Sequence, residues 1–481
     1  MKSLLEINEL LNAVDGKIIG DSKKCYFTSV QTDSRNVVKN TLFVPLIGEF
    51  QNGHKYIPSA LEKGASVIFV KKSEYEQNKQ NYEFLSMDYP KVTFIAVEQT
   101  MKALQDAAEC YVSKFPFLVK ISVTGSCGKT TVKEMLVSVF KAKYGKKVVY
   151  TKGNFNSETG LPLSVFQIRK NHRIGIFEMG MNRVNEIGEI SKVLKSNYGI
   201  ITNIGTAHIG ILGSRKNIAE EKRKSFDYIG RDGAAFVPAT DDFADFCTEN
   251  VKGKVVKFGK SECSVYDVQF ISDNGLMGTT FSVSGLKVNL KLSGEHNFEN
   301  CLGVIALAEE CELSAADIKK GLEKMNGLPG RMETEQIKLS GKKVTVLKDF
   351  YNANLDSMQK VIEFASGLKD TGRKIFVLAD MKELGEKSKD AHEKIGEFAA
   401  SKNIGFVFLI GEEMKAADDV IREKYQSFTE NVVYRKSIDC FEEIAGLINE
   451  KAEENSVIVM KGSHSMQLEK LLPLIKKGGL R

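Results

Sequence analysis

Residues 121–131 read Ile-Ser-Val-Thr-Gly-Ser-Cys-Gly-Lys-Thr-Thr, an apolar strand pattern that ends in a glycine turn and passes at once into a helical run over 132–140. Gly125 and Gly128 let the backbone turn tightly and aim its N–H groups inward, Lys129 adds a point charge, and Thr130 carries a hydroxyl able to bind Mg²⁺. The chemistry is that of phosphate, and it predicts a site for a nucleoside triphosphate. The loop is shorter than usual, since Val123 stands where a first glycine would fall. An unliganded glycine turn at a helix start is the alternative.

Other residues are placed where chemistry is done. Glu178 closes the apolar run 173–178, and His208 follows the run 198–204 and a Gly-Thr-Ala turn. A carboxylate and an imidazole beside a Mg²⁺ held by Thr130 are candidate direct or water-mediated ligands, although Mg²⁺ prefers oxygen; a hydrogen-bonded structural histidine is the other reading of His208. Asn297 and Asn300, three apart at the start of a helical run, share a face and could read an adenine edge or simply cap the helix. In Thr32-Asp-Ser-Arg35, Ser34 and Arg35 set a hydroxyl beside a guanidinium, suited to a diphosphate or equally to a solvated turn.

The elements that must hold these groups are α/β throughout. Residues 1–98 read as a small α/β N-terminal domain containing one β-α-β unit (41–45, 57–63, 65–70). Residues 99–330 alternate apolar strands with amphipathic helices, which predicts a central P-loop mononucleotide-binding parallel sheet with ligands at the strands' carboxyl ends. Within it, 270–292 alternates with period two around Asp273-Asn-Gly275 and is expected to add antiparallel strands to that sheet. After the Pro329-Gly330 hinge the pattern restarts at 344–349, 374–380, 406–411 and 456–461, so residues 331–481 are expected to form a C-terminal Rossmann-like sheet. No Gly-x-Gly pair occurs, which argues against NAD.

Composition sets the bounds. The 481 residues, 42% hydrophobic and 27% charged, are ordinary globular material sufficient for three domains. A net charge of +6 spread over 68 basic and 62 acidic residues gives no reason to expect nucleic acid. The eight cysteines include no Cys-x-x-Cys pair and are expected to be free thiols. The first ten residues read as an amphipathic helix, and no stretch is apolar for long enough to cross a bilayer, so the chain is expected to stay in the cytoplasm.

Taken in order, these motifs resemble those of the Mur ligases, the ATP-dependent amide-forming enzymes of peptidoglycan precursor synthesis. The matching stretches run from Thr124-Gly-Ser-Cys-Gly-Lys-Thr-Thr131 through Gly153-Asn-Phe-Asn156, Phe177-Glu-Met-Gly180, Thr202-Asn-Ile-Gly-Thr-Ala-His208, His296-Asn-Phe-Glu-Asn300 and Gly330-Arg331 to Asp349-Phe-Tyr-Asn-Ala-Asn354, Asp380-Met-Lys-Glu-Leu-Gly385 and Lys461-Gly-Ser463. The resemblance implies ATP and Mg²⁺ as cofactors, and Tyr351-Asn-Ala-Asn354 with Asp380-Met-Lys-Glu-Leu-Gly385 points to the members that join D-alanyl-D-alanine to UDP-N-acetylmuramoyl-tripeptide.

By the same resemblance, the loop of Gly125, Ser126, Cys127, Gly128, Lys129, Thr130 and Thr131 would cradle the phosphates. Thr130 and Glu178 would hold one Mg²⁺, while His208 and a carbamylated Lys222 would serve a second. Arg331 would reach the γ-phosphate, Asn297 and Asn300 the adenine, and Asp349 the ribose. Ser34 and Arg35 would meet the uridine diphosphate, and Asn154, Asn156, Asn352 and Asn354 would line the peptide substrates. Read without the resemblance, Lys222 is one of several solvated helix lysines. A monomer is expected. Cys127, Pro238, Lys348, Phe350 and His464 depart from the pattern, leaving adenine-side detail and the identity of the added peptide more open.

Overall fold

The structure, a computed structural model, describes residues 3–20, 25–259, 266–402 and 404–478. Among the described residues twenty strands form four sheets. The first holds β1 (Lys17–Ile18), β2 (Ser29–Gln31), β3 (Thr41–Phe43), β4 (Ala65–Lys71) and β5 (Thr93–Val97) in the order β1-β5-β4-β3-β2, parallel except for β1. The helix before it spans Ile7–Val14, later than the reading of the first ten residues, because Ile7, Leu10 and Val14 are the positions that share a buried face.

The central sheet is wholly parallel. Its strands β6 (Val119–Thr124), β7 (Val148–Tyr150), β8 (Ile174–Glu178), β9 (Tyr198–Ile201), β10 (Ala234–Pro238) and β11 (Lys254–Phe258) lie in the order β11-β10-β9-β6-β8-β7. The chain steps to one side of β6 for β7 and β8, then crosses to the other side for β9. That reversal leaves a crevice at the carboxyl end of β6, where the phosphate loop stands.

The helix after the loop, Lys129–Tyr144, buries Val132, Met135, Leu136, Val139 and Phe140. These positions fall on one face at helical spacing, so the helix can lie flat against the sheet. It shares a core with the helix Glu295–Glu310, whose Cys301, Val304, Ile305 and Ala308 are also buried. Burial of Ala103, Leu104, Ala107, Ala108, Tyr111 and Val112 likewise fixes a helix over Thr100–Ser113 against the opposite side.

Strands β12 (Val268–Asp273), β13 (Thr279–Val283) and β14 (Leu286–Leu290) do not extend the central sheet; they pair only with one another in a three-stranded antiparallel sheet. The alternation was real, but its inward face, Phe281, Val283, Val288 and Leu290, packs against the central core instead of hydrogen-bonding to an edge strand. The helix that carries Lys222 spans Arg215–Arg223 and runs into a short 3₁₀ turn at Lys224–Phe226.

The last sheet takes β15 (Glu333–Leu339), β16 (Lys342–Asp349), β17 (Lys374–Ala379), β18 (Phe406–Ile410), β19 (Val432–Arg435) and β20 (Val457–Lys461) in the order β15-β16-β20-β17-β18-β19. Only β15 is antiparallel. Lys348, one of the residues departing from the motif pattern, pairs across this hairpin with Glu333 (2.6 Å) and Glu335 (3.1 Å), so it secures the edge of the sheet. Seven of the cysteines lie among the described residues, all free thiols. Among those residues no helix is long and apolar enough to cross a membrane.

Candidate active site

A cavity of about 930 Å³ opens over the crevice at the end of β6, with walls from both the central sheet and the C-terminal sheet. Its floor is the phosphate loop. Gly125 must be glycine, since a Cβ there would lie 1.9 Å from Thr202 Oγ1. Gly128, at φ 82°, caps the helix Lys129–Tyr144, where a left-handed residue turns the loop's N–H groups toward the cavity. Lys129 Nζ donates to the loop carbonyls of Gly125 (2.8 Å) and Ser126 (3.4 Å). Burial holds its pKa below the usual lysine range, with Glu178 opposing that shift.

Glu178 ends β8 and is 2% exposed. Its Oε1 accepts from Thr130 Oγ1 at 3.2 Å and from Asn156 Nδ2 at 2.8 Å, while Oε2 is buried with no hydrogen-bond partner. An ionised oxygen buried without a donor is costly unless something cationic meets it. Asn156, expected to face substrate, is thus engaged in orienting this carboxylate.

Lys222 is not a solvated helix lysine: it is 1% exposed, on the inner face of the helix Arg215–Arg223. Burial first, and the Lys129 charge second, push its pKa well below the ordinary value. Its neighbour Glu221 accepts from the N–H groups of Asn185 and Ile187, each at 2.9 Å, and so fixes the helix against the loop that follows β8. His208 is also largely buried, which lowers its pKa; its Nδ1 lies 2.8 Å from Glu383 Oε2, off the hydrogen-bonding line.

Asn297 and Asn300 both line the cavity, and neither caps its helix, because Gly294 occupies that position. Asn297 Nδ2 donates to Ser293 O (2.7 Å), and Asn300 stands against Gly128, with its Oδ1 3.0 Å from where a Cβ would be. Beside them His296 is half-buried, and desolvation of its ring brings its pKa down to about 4, so the ring is neutral.

The C-terminal unit closes the opposite wall. Arg331 stacks on Tyr351, its guanidinium carbon 3.8 Å from the ring centroid, and the Tyr351 hydroxyl hydrogen-bonds to Asn154 across the cavity. His464 meets the same ring edge-on at 6.1 Å. Asp349 takes a hydrogen bond from the Met332 N–H (3.0 Å) and pairs with Lys461 Nζ (2.7 Å), which also holds the Asn352 carbonyl (2.8 Å). Asn354 Oδ1 caps the helix Leu355–Ser366, and its amide touches Cys127 Sγ at 3.3 Å. Pro238 ends β10 in the cavity wall, whereas Phe350 packs beside Gly330.

Ser34 and Arg35 are not part of this cavity. Arg35 is paired with Asp33 (2.7 Å), and the Ser34 carbonyl accepts from Lys63 Nζ (3.0 Å), so the turn is internally satisfied. Reasoning from sequence missed Tyr351, Glu383 and Lys461 as residues of the site. All three come from the C-terminal unit, and only their motif neighbourhood could have flagged them.

Comparison with known proteins places this geometry. Family models match residues 26–111 (Mur ligase family, catalytic domain), 123–308 (Mur ligase middle domain) and 330–464 (Mur ligase, glutamate ligase domain). The chain is also 36% identical, over 98% of its length and 99% of the relative's, to the UDP-N-acetylmuramoyl-tripeptide--D-alanyl-D-alanine ligase of Treponema pallidum. The chain belongs to the Mur ligase family. The corresponding Bacillus subtilis ligase is 30% identical over 92% of each chain. Among solved Mur ligase structures, MurF from Acinetobacter baumannii aligns with a TM-score of 0.85 at 26% identity over 98% of both chains. MurF from Thermotoga maritima in complex with ADP aligns with a TM-score of 0.75 at 26% identity, covering 94% of this chain and 97% of that one.

Proposed function

We propose that this Mur ligase joins D-alanyl-D-alanine to UDP-N-acetylmuramoyl-tripeptide, using ATP and giving ADP and phosphate by way of an acyl phosphate. The observation that carries this reading is one cavity in which the glycine loop with Lys129, the unpartnered Glu178 Oε2 and His208 face Arg331, Asp349 and Asn352 from a second unit. A peptide carboxylate cannot release oxide, so it must first be phosphorylated; the incoming amine then displaces phosphate through a tetrahedral intermediate.

Each residue has work suited to its place. The amides of residues 125–131 and Lys129 hold the β- and γ-phosphates, and Arg331, steadied on Tyr351, neutralises charge on the transferred group. Asn297 and Asn300 serve the adenine side, and Asp349 the ribose hydroxyls. Thr130 and Glu178 fit Mg²⁺, a cation that takes one or two carboxylates together with substrate phosphates and shows no need of a closed protein cage. When bound, the ion would draw negative charge from the phosphate oxygens.

A neutral, buried lysine amine is the form that reacts with CO₂, which supports a carbamate on Lys222 close to His208. Asn154 and Asn352 lie toward the peptides, and Asn156 and Asn354 act on them through Glu178 and the helix cap. The first sheet unit, residues 1–98, would take the UDP end at Ser34 and Arg35, residues 99–330 the ATP, and residues 331–481 the dipeptide side. The chain acts as a monomer without nucleic acid.

The test is to supply ATP, Mg²⁺ and UDP-N-acetylmuramoyl-tripeptide with and without D-alanyl-D-alanine, measure ADP, and weigh the product. Amine-dependent ADP release with a product of the joined mass is expected; ADP release that ignores the amine defeats the proposal. Glu178→Gln is expected to lower kcat by about 10²-fold and to raise the Mg²⁺ concentration needed for half-maximal rate, read from a Mg²⁺ titration.

A further inference from the structure

We infer that Asp356 is a positioning residue that ties the seating of the C-terminal unit to the shape of the phosphate loop. It stands in the first turn of the helix Leu355–Ser366, and its Oδ2 accepts from both the N–H (2.6 Å) and the hydroxyl (2.8 Å) of Thr206, 150 residues away. The approach is close enough to require glycine next door: a Cβ on Gly205 would lie 2.4 Å from the same oxygen. Gly205 in turn donates its N–H to Ser126 Oγ (2.9 Å), and Asn203 clasps Cys127 through both its N–H and its carbonyl, each at 3.0 Å. One carboxylate on the C-terminal unit is therefore two hydrogen bonds from the loop that would hold phosphate.

A second grip falls on the other end of the same segment. Gly210 N–H donates to Glu383 O (3.1 Å), and Glu383 Oε2 lies against His208 Nδ1. With both ends held, residues 203–210 keep one conformation only while the two units are docked. A single oxygen accepting two hydrogen bonds, one from the backbone, is a charge-assisted contact that neither a parted interface nor water reproduces with the same geometry. Asp356 thus acts through Thr206 and Gly205, and its loss should show in the chemical step more than in ATP capture, because the phosphate loop itself remains.

The kinetic arm of the test rests on the ligation proposed above; a scattering arm does not. In full-length protein, Asp356→Ala should lower kcat by about tenfold or more while the KM for ATP stays within about threefold. Thr206→Val, which keeps the N–H bond, should lose less; the double variant should be no worse than Asp356→Ala alone; and Thr206→Ser should restore most of the rate. Small-angle X-ray scattering of the ligand-free proteins should show a larger radius of gyration for Asp356→Ala than for wild type or Thr206→Ser. Multiplicative losses in the double variant, or unchanged kcat and scattering, would overturn the inference. If wild type itself fails to release ADP on addition of the amine, the ligase reading falls, and the scattering comparison still decides the role of Asp356.

Discussion

Lys129→Ala will reduce turnover of ATP by at least about 10²-fold, the loss typical of a donor aimed at developing phosphoryl charge. It will also abolish the rise in thermal midpoint that ATP gives the wild-type protein. In the ligand-free site the half-buried Lys129 ammonium rests on the carbonyls of Gly125 and Ser126, with Arg331 adding repulsion. That arrangement is poorly satisfied alone, and an incoming triphosphate relieves it. The free variant should therefore fold as well as wild type, and the defect should appear only with nucleotide, because stabilisation by a ligand scales with the logarithm of its saturation. Steady-state kinetics and thermal denaturation with and without ATP check both halves; an unchanged ATP-induced shift would remove Lys129 from the phosphate site.

Lys222→Met is expected to be inactive and more stable. The side chain is buried, no carboxylate lies within ion-pairing distance of it among the described residues, and its pKa is pushed well down by burial and by Lys129. Between that lowered pKa and the unfolded value of about 10.4, the unfolded chain binds more protons, so the wild-type protein gains stability as pH rises. Below the folded pKa the full cost of burying the ammonium remains. Methionine has no such cost, so its advantage, about 1 kcal/mol or more near neutral pH, should shrink as pH climbs toward 10. Denaturant unfolding across pH in CO₂-free buffer measures it. Turnover should fall at least about 10²-fold, and the carbamate signal expected of wild type under ¹³CO₂ should be absent from the variant.

How much of this was legible beforehand varied with how local the cause was. The strand, glycine turn and helix over 119–144 could be read because the apolar run, the glycines and the helical pattern are contiguous, and the alternation of elements pointed to the parallel sheet around them. Strands β10, β11, β15 and β19 escaped the reading. In β11 and β15 most positions are exposed or half-buried, so their sequences lack the apolar run that marks a covered parallel strand. The hairpin around Asp273 had the correct period, but its partner was set by tertiary packing, which periodicity does not encode. Lys222 was misjudged from its own surroundings because Glu220-Glu221-Lys222-Arg223-Lys224 reads as a charged, solvated face; only the family resemblance singled it out. Thr206 with Asp356, and Asn154 with Tyr351, are contacts between distant segments, invisible to any window of sequence.

The cavity shared by two units has a consequence for timing. Tyr351 reaches Asn154, and Asn354 reaches Cys127, across the same opening through which a nucleotide and two peptides must pass. Release of spent nucleotide is expected to require those bridges to break, and with them a swing of one lobe in every round of synthesis. Turnover should accordingly slow as sucrose thickens the buffer, and a variant that weakens the bridges, such as Tyr351→Phe, should be less sensitive to that drag.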